Sequence, residues 1–251
     1  MILYRDIPHT YEEVGTGKKF TSATTFLKQF ETQIDWADKA EKYSKKYNRE
    51  QKKLTGENPK TDGAYWQAVW KAKADAACAK GTKYHEAQER KTLESESHLP
   101  IVPSLLENDE KFSPETLKLQ EGIYPELIVW INSVGIAGQA DLVTIEDGMI
   151  KILDYKTNAK LTAEPYIRWD GSFDRFSAPI NHVPYTTMHK YYLQLNLYAY
   201  AIKLHNPNLS VGEMTIRHVS FDENDEPNGH TDHIVPNMQD EIKDILNYVS
   251  F

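Results

Sequence analysis

The most regular pattern of apolar and polar positions in the chain lies on either side of an Asp-Gly pair. Residues 138–145 and 149–156 are rich in β-branched and apolar side chains, and residues 147–148 separate them. An Asp-Gly pair between two such runs is the strongest short-range signal for a β-hairpin with a two-residue turn. Counting outward from this turn, the register brings Asp141 directly opposite Asp154, with their Cβ atoms about 5 Å apart.

Both aspartates fall on an apolar face of this hairpin. Side chains two residues apart on a strand point to the same side, so Lys156 shares that face with Asp154 and Asp141. Two opposed carboxylates beside apolar surroundings repel each other and need a cation or a shared proton. A divalent metal site with oxygen ligands meets that need, and Lys156 lies where it could act on a bound water. The alternative is a solvated edge with a salt bridge, which is disfavoured by four aliphatic residues on the same face: Val143, Ile145, Ile150 and Ile152.

The other periodic stretches predict alternating helices and strands. Helical spacing of apolar residues marks six segments: 22–30, 35–53, 64–80, 82–93, 189–205 and 237–248. Apolar or alternating runs mark three further strands: 124–131, 214–221 and 231–235. Gly81 is expected to end the third helix, and Thr82 is expected to cap the fourth.

These elements predict an α/β protein in one domain that spans residues 1–251. We expect a mixed central β-sheet flanked by helices on both faces. Residues 1–80 should form a helical cap beside the sheet, residues 81–221 the catalytic core, and residues 222–251 an acidic C-terminal segment. A chain of 251 residues can bury one large core.

Composition indicates a soluble intracellular protein. Hydrophobic residues make up 40% of the chain and charged residues 26%, which is ordinary for globular proteins. No apolar run reaches the roughly 18 residues of a membrane span, so no membrane partner is expected, and residues 1–6 do not have the form of a signal peptide. Cys78 is the only cysteine, so the chain forms no internal disulfide, which favours the cytoplasm.

The net charge of −8 at first argues against a nucleic-acid partner. The charge is uneven, however. Residues 1–60 hold twelve Lys or Arg against nine Asp or Glu, whereas residues 221–251 hold eight acids against Lys243. A local basic channel is enough to attract nucleic acid, so the net charge does not exclude this partner.

Four short motifs occur in order along the chain. Gly-Thr-x-x-His occupies residues 81–85, Gly-x-x-Asp residues 138–141, Asp-x-Lys residues 154–156, and Gln-x-x-x-Tyr residues 194–198. Each motif alone is weak. Together they resemble the PD-(D/E)XK nuclease superfamily and its RecB-like branch, and they are similar to the stand-alone exonucleases of viruses and mitochondria. The resemblance covers residues 20–219 and implies a restriction-endonuclease-like core.

The resemblance also implies a divalent-metal site. It assigns one or two Mg²⁺ or Mn²⁺ ions to five candidate ligands: His85, Glu126, Asp141, Asp154 and the carbonyl of Tyr155. Glu126 could instead cap a strand end or pair with a lysine, and His85 could be a structural histidine. Some relatives carry an iron–sulfur cluster on four cysteines, which this chain cannot form.

The implied catalytic residues are Asp141, Asp154, Lys156 and Gln194. Lys156 would orient or deprotonate the attacking water, and its pKa should fall if metal ions lie near. Gln194 and Tyr198 share a helix face, and the resemblance implies that they contact the active site or the DNA. The alternative for this pair is a buried structural hydrogen bond.

A second candidate nucleic-acid site lies in the irregular stretch 159–187. Arg168 and Trp169 belong to a series in which arginines alternate with aromatic residues, a composition typical of proteins that stack unpaired bases. The alternative is that these aromatic side chains pack over the edge of the sheet.

The expected function is therefore a metal-dependent DNA exonuclease that hydrolyses phosphodiester bonds. Its expected substrate is single-stranded DNA or DNA with a free end, in replication, recombination or repair. A viral enzyme of this kind would work in the host cytoplasm. A structure-specific or site-specific endonuclease is one alternative, and a DNA-binding accessory protein with a decayed site is another.

Overall fold

The computed structural model of the chain describes residues 2–5, 10–103, 110–113 and 117–249. Its strands are β1 (Ile2–Arg5), β2 (Thr10–Glu13), β3 (Lys19–Ser22), β4 (Glu110–Phe112), β5 (Gly122–Ile131), β6 (Ile136–Glu146), β7 (Met149–Lys156), β8 (Ser210–Phe221) and β9 (Pro227–Ile234). Its helices are α1 (Ala23–Lys28), α2 (Trp36–Thr55), α3 (Gly63–Leu93), α4 (Thr187–His205) and α5 (Gln239–Val249). None of the described helices is both long and apolar enough to cross a membrane.

The described strands form one mixed sheet in the order β4-β1-β2-β3-β6-β7-β8-β9, and β5 pairs with β6. The predicted mixed sheet with flanking helices is confirmed. The region expected to be a helical cap, residues 1–80, differs from the expectation because it begins with three short strands. Strands of four residues contain too few positions to show an alternating pattern, so sequence periodicity does not reveal them.

The chain divides into two compact units, Thr32–Tyr84 and the remainder. In the smaller unit, Asp35 caps α2 by accepting the backbone N–H groups of Ala37 and Asp38 at 3.0 and 2.9 Å. Gly56 ends α2 in the left-handed conformation, at a φ of 80°, which suits a residue without a Cβ.

The predicted break at Gly81 is wrong, because α3 continues through it to Leu93. A single glycine costs a helix only about 1 kcal/mol, which is too little to end a helix of this length. Thr82 does not cap a new helix. Its hydroxyl donates to the carbonyl of Cys78 at 3.2 Å, which is the bond of a threonine inside a helix.

In the larger unit, α4 packs across β5, β6, β7 and β8. The helix is apolar around most of its circumference and buries ten residues. Beneath it lie the four aliphatic side chains of the hairpin face, all exposed by 2% or less: Val143, Ile145, Ile150 and Ile152. The predicted orientation of this face towards the core is therefore confirmed.

Strand β6 has an interruption along one side. Strand β5 pairs with it along one edge, while β3 pairs only with Ile136 and Ala137 on the other edge and β7 pairs from Leu142 onward. Among the described strands, residues 138–141 therefore have no partner on that edge. This interruption lies between β3 and β7 and contains the Gly-x-x-Asp motif.

Gly138 lets α4 approach this interruption closely. A Cβ at position 138 would lie 2.6 Å from Cε1 of Tyr198 and 3.2 Å from the Cβ of Ala23. Both distances are shorter than ordinary carbon–carbon contacts. Only glycine fits between the ring and α1.

We expect Gly138→Ala to lower the free energy of unfolding by about 1–3 kcal/mol, the cost of overpacking a core. The matched control is Gly229→Ala in β9, where the nearest atom to a new Cβ is the Ser220 hydroxyl at 3.1 Å, which can rotate away. Thermal unfolding of both variants checks this expectation. Equal melting temperatures for the two variants would contradict the close approach.

Candidate active site

The two hairpin aspartates lie beside the interruption in β6. Pairing of β6 with β7 runs from Glu146–Met149 to Leu142–Leu153, so the predicted register is confirmed. The ladder stops one pair before the aspartates, because the carboxylate of Asp141 accepts the backbone N–H of Tyr155 at 2.7 Å. The Asp141 side chain thus accepts the N–H group of β7 that a backbone carbonyl would accept in a continued ladder.

Asp154 and Lys156 form a buried ion pair next to Asp141. Asp154 is only 1% exposed, and its Oδ2 faces the Lys156 ammonium. That oxygen has no further hydrogen bond among the described residues. Because a buried carboxylate is costly without full pairing, Asp154 retains a capacity to bind another cation or donor.

His85 approaches Asp141 from α3. Its Nδ1 lies 3.3 Å from Oδ2 of Asp141. The histidine was expected in the first turn of a helix, and it lies instead two turns before the end of the long α3, which closes at Leu93. The contact with Asp141 is the one that the predicted metal site requires.

Glu126 completes a cluster with these two residues. It was expected at the start of its strand but lies inside β5, where Pro125 pairs with Leu142 and Leu127 pairs with Ala140. Glu126 is thus left out of the ladder, and its φ of 52° is in the left-handed region, which costs a non-glycine residue roughly 1–2 kcal/mol.

Ligand atoms of His85, Glu126 and Asp141 all lie within 4.8 Å of one another. Carboxylate oxygens suit Mg²⁺ or Mn²⁺, and one imidazole nitrogen among them favours a transition-metal ion such as Mn²⁺. The strained backbone of Glu126 points to function, since such conformations concentrate at ligand sites. These residues fit the divalent metal that the motifs imply.

The buried carboxyl groups of Glu126, Asp141 and Asp154 influence one another's pKa values. Burial, and then the neighbouring Asp141, raise the pKa of Glu126 to about 8. The same two causes raise the pKa of Asp154 to about 6. Burial also acts on Asp141, but the hydrogen bond from His85 and the charge of Lys156 outweigh it and lower the pKa of Asp141. At neutral pH the cluster therefore retains a proton or binds a cation.

Nearby carboxylates also raise the pKa values of Lys156 and His85. Burial disfavours the charged form of Lys156, but Asp154 and Asp141 outweigh burial and raise the pKa of its ammonium group. Burial likewise opposes charge on His85, and the hydrogen bond to Asp141 raises its pKa. The lowered pKa that we expected for Lys156 applies only when metal ions lie near it.

The Gln-x-x-x-Tyr motif also reaches this cluster. Gln194 Nε2 donates to the hydroxyl of Tyr198 at 2.8 Å, and both side chains are buried. Burial, with a further contribution from the charge of Asp154, raises the pKa of Tyr198. The pair therefore lies beside the aspartates and also satisfies its own polar groups, so both of its expected roles remain compatible with the geometry.

The family follows from a comparison over nearly the whole chain. The family model of the PD-(D/E)XK nuclease superfamily matches residues 27–250. The chain belongs to the PD-(D/E)XK nuclease superfamily. No curated protein matches the sequence significantly. Membership implies a nuclease that hydrolyses phosphodiester bonds in nucleic acid with divalent metal ions.

Three residues around Lys156 of this nuclease were missed from the sequence. The Lys156 Nζ lies 4.6 Å above the ring of Tyr191, whose hydroxyl donates to Oδ1 of Asn158 at 2.9 Å. The carbonyl of Asn158 in turn meets Nε2 of His218 at 2.6 Å. Tyr191 lies three residues before Gln194, and this helical spacing could have identified it. His218 becomes a neighbour only through the parallel pairing of β7 with β8.

In the aromatic stretch 159–187 of the nuclease, some side chains are buried and others are exposed. Phe176 is buried, and its ring centroid lies 5.3 Å from that of Tyr185, as the packing alternative expected. Trp169 is 98% exposed, so packing over the sheet edge is wrong for this residue. Arg168 forms an ion pair with Asp174 at 2.5 Å, a partner that sequence reasoning did not identify.

The raised pKa of Glu126 predicts a pH-dependent stability in protein stripped of divalent ions. Its folded-state pKa of about 8 exceeds the unfolded value near 4.3. The stabilisation by the bound proton is therefore complete below about pH 4 and is lost as the pH rises through 8. Glu126→Gln, which resembles the protonated acid, should be more stable than the parent at pH 9 by at least about 1 kcal/mol, the value of roughly one pKa unit.

Thermal melting in EDTA between pH 5 and pH 9 measures this difference. The control is Glu164→Gln, which changes an exposed loop carboxylate and should leave the pH profile of melting unchanged. A Glu126→Gln profile parallel to that of the parent would show that Glu126 does not hold the proton.

Proposed function

We propose that this chain is a metal-dependent DNA exonuclease of the RecB-like branch, similar to stand-alone viral and mitochondrial exonucleases. The observation that carries the proposal is the convergence of all four motifs on one buried site. His85 and Glu126 meet Asp141 within 4.8 Å, and the Asp154–Lys156 ion pair adjoins them. Titratable residues whose surroundings shift their pKa values in this way are typical of active sites.

The proposed metal ligands are His85, Glu126, Asp141, Asp154 and the carbonyl of Tyr155. When bound there, one or two Mg²⁺ or Mn²⁺ ions would polarise the scissile phosphate and offset the charge that develops on it. The donor atoms are held in advance by protein contacts. The Tyr155 N–H holds the carboxylate of Asp141 at 2.7 Å, so ligand orientation does not depend on the ion.

Lys156 is the proposed group that orients or deprotonates the attacking water. Its ammonium lies between the carboxylate of Asp154 and the ring of Tyr191, contacts that restrict its position. A positive charge fixed in a buried site stabilises the developing negative charge on the phosphate strongly. Gln194, supported by Tyr198 at 2.8 Å, is proposed to orient the bound DNA strand beside the aspartates.

The alternatives are an endonuclease and an accessory protein without activity. The intact site, in which Lys156 pairs with Asp154 and Asp141 meets His85, favours an enzyme over the accessory protein. The likeness to stand-alone exonucleases supports cleavage from a DNA end, and the exposed Trp169 supports a single-stranded substrate. DNA, free ends and single strands are therefore part of this proposal.

Linear and circular single-stranded DNA, each with Mg²⁺, Mn²⁺ or EDTA, test the proposed activity directly. Digestion of the linear form alone, with either metal and not with EDTA, is the expected result. Nicking of the circular form would replace the proposal with the endonuclease. Intact DNA under every metal condition would favour the accessory protein.

We expect Lys156→Ala to reduce cleavage by at least about 100-fold, the contribution of a positioned acid–base group. The variant should keep the rise in melting temperature that Mn²⁺ causes by binding the folded state, because Lys156 is no ligand. Asp154→Asn should lose both properties. Lys151→Ala is the matched control on β7, since Lys151 pairs with Glu146 at 2.6 Å on the other face of the hairpin. Near-normal cleavage by Lys156→Ala would remove Lys156 from the mechanism.

The exposed loop gives a second expectation about DNA. Trp169→Ala should weaken binding of single-stranded DNA by about 1–3 kcal/mol, the value of one stacked base, without changing the melting temperature. Arg168→Ala should reduce the salt dependence of binding by removing a phosphate contact, whereas Asp174→Asn should strengthen binding by releasing Arg168 from its ion pair. Affinities in EDTA and melting temperatures of the three variants measure these effects. Unchanged affinity in Trp169→Ala would exclude the loop from the binding surface.

A further inference from the structure

The smaller compact unit of the chain, Thr32–Tyr84, is basic. It contains twelve Lys or Arg and seven Asp or Glu, a net charge of +5, whereas the whole chain carries −8. The remainder of the protein is therefore strongly acidic. A concentrated positive charge on one unit of an acidic protein indicates a site for a polyanion.

Aromatic rings of α2 pack against rings at the start of α3, and we call this group the aromatic seam: Trp36, Tyr43, Tyr47, Trp66 and Trp70. Trp36, Tyr43 and Tyr47 share one face of α2 at spacings of seven and four residues. The ring of Tyr43 lies 4.6 Å from that of Trp66 and 5.6 Å from that of Trp70 on the first turns of α3. Two helices cannot enclose such large rings. Trp36 remains 56% exposed and Tyr43 remains 43% exposed.

A line of lysines runs beside the exposed edge of the seam. Lys39, Lys46 and Lys53 are spaced seven residues apart, so they follow one side of α2 over about 21 Å. The Lys39 Nζ lies 4.6 Å from the ring centroid of Trp36. Lys39 and Lys53 have no ion pair among the described residues, and Lys46 has only a long contact of 3.9 Å with Glu50.

Two other lysines of the same helix, and one of α3, differ in this respect. Lys42 pairs with Asp38 at 2.6 Å and Lys45 pairs with Glu41 at 3.3 Å. On α3, Lys71 pairs with Asp75 at 2.8 Å. Intrahelical pairing therefore neutralises Lys42, Lys45 and Lys71, whereas the three lysines beside the exposed rings keep most of their charge.

We propose that this strip of α2, the edge of Trp36 and Tyr43 with Lys39, Lys46 and Lys53, binds single-stranded nucleic acid. Exposed rings accept bases of any sequence, and a line of lysines follows a phosphate backbone. A length of about 21 Å corresponds to roughly six stacked nucleotides. A second copy of the chain is a poorer occupant, because it would bring a like-charged strip against this one. The inference rests on the proposed function for its substrate, and it adds a binding surface to the residues assigned above.

The test measures the affinity of the full chain for fluorescent oligothymidylate in EDTA, across a series of salt concentrations. The triple variant Lys39→Gln/Lys46→Gln/Lys53→Gln should bind at least about 10-fold more weakly at low salt. Its slope of log affinity against log salt should fall by about 2, since each phosphate contact on a single strand contributes about 0.7. Trp36→Leu should bind about 5-fold or more weakly with an unchanged salt slope.

The matched control is Lys42→Gln/Lys45→Gln/Lys71→Gln, which removes the same charge from the same unit but only from paired lysines. It should bind nearly as the parent does. Equal losses in both triple variants would overturn the proposal, because net charge and not the strip would then govern binding. Parent-like affinity in the Lys39/Lys46/Lys53 variant, with folding verified by thermal melting, would also overturn it.

Two further measurements separate this inference from its alternatives. Sedimentation tests whether a second copy of the chain occupies the strip. A parent that is a dimer, together with a Trp36→Leu variant that is a monomer, would identify the strip as a self-association surface and overturn the proposal. Hydrolysis of a small phosphodiester with Mn²⁺ reports the catalytic residues alone, and the Lys39/Lys46/Lys53 variant should retain it. Absence of hydrolysis in the parent would contradict the proposed function, while the affinities in EDTA would still decide whether the strip binds nucleic acid.

Discussion

The bond from the Tyr155 N–H to the carboxylate of Asp141 is the contact on which the site depends. Strands β3 and β7 both pair with one edge of β6, and between them a backbone ladder is missing. The 2.7 Å bond satisfies a buried donor that would otherwise cost about 1–3 kcal/mol. It also fixes Asp141 beside His85 and orients the end of β7, which carries Asp154 and Lys156. The side chain of Asp141 thus replaces a missing backbone partner at this point of the sheet and orients the acidic residues of the site.

The same region contains most of the unfavourable terms in the structure. Glu126 has a left-handed backbone at a φ of 52°, two buried carboxyl groups have raised pKa values, and the Asp154–Lys156 pair is desolvated. The helix α4 offsets these costs, because it buries ten residues over the adjoining strands. Acids that repel each other in the free protein are arranged to attract a divalent ion, so the strain of the folded state favours metal binding.

Much of the site was predictable because its geometry is local. A two-residue turn fixes the hairpin register, and the register fixes which residues share a face with Asp141. The relation of Lys156 to His218 was not predictable in this way, since it depends on the parallel pairing of strands that are separated by the long stretch containing α4. The left-handed backbone of Glu126 and the pairing of Arg168 with Asp174 also depend on contacts that no sequence period encodes. The break predicted at Gly81 is wrong because one unfavourable residue is a weak signal in a long helix.

Charge is distributed between the two compact units in a way that suits their different tasks. The unit with the sheet carries the excess of acids, so its net charge opposes a phosphate backbone, and local cations such as Arg168 or a bound divalent ion would offset this. The unit Thr32–Tyr84 carries the positive charge, and its lysines need no metal to attract a strand. A divalent ion bound at the acids would act on the phosphate that contacts it, whereas exposed lysines attract a strand over about a Debye length. If the strip on α2 binds nucleic acid as proposed, attraction of the polyanion and chemistry at the phosphate can be optimised separately, despite the net charge of −8.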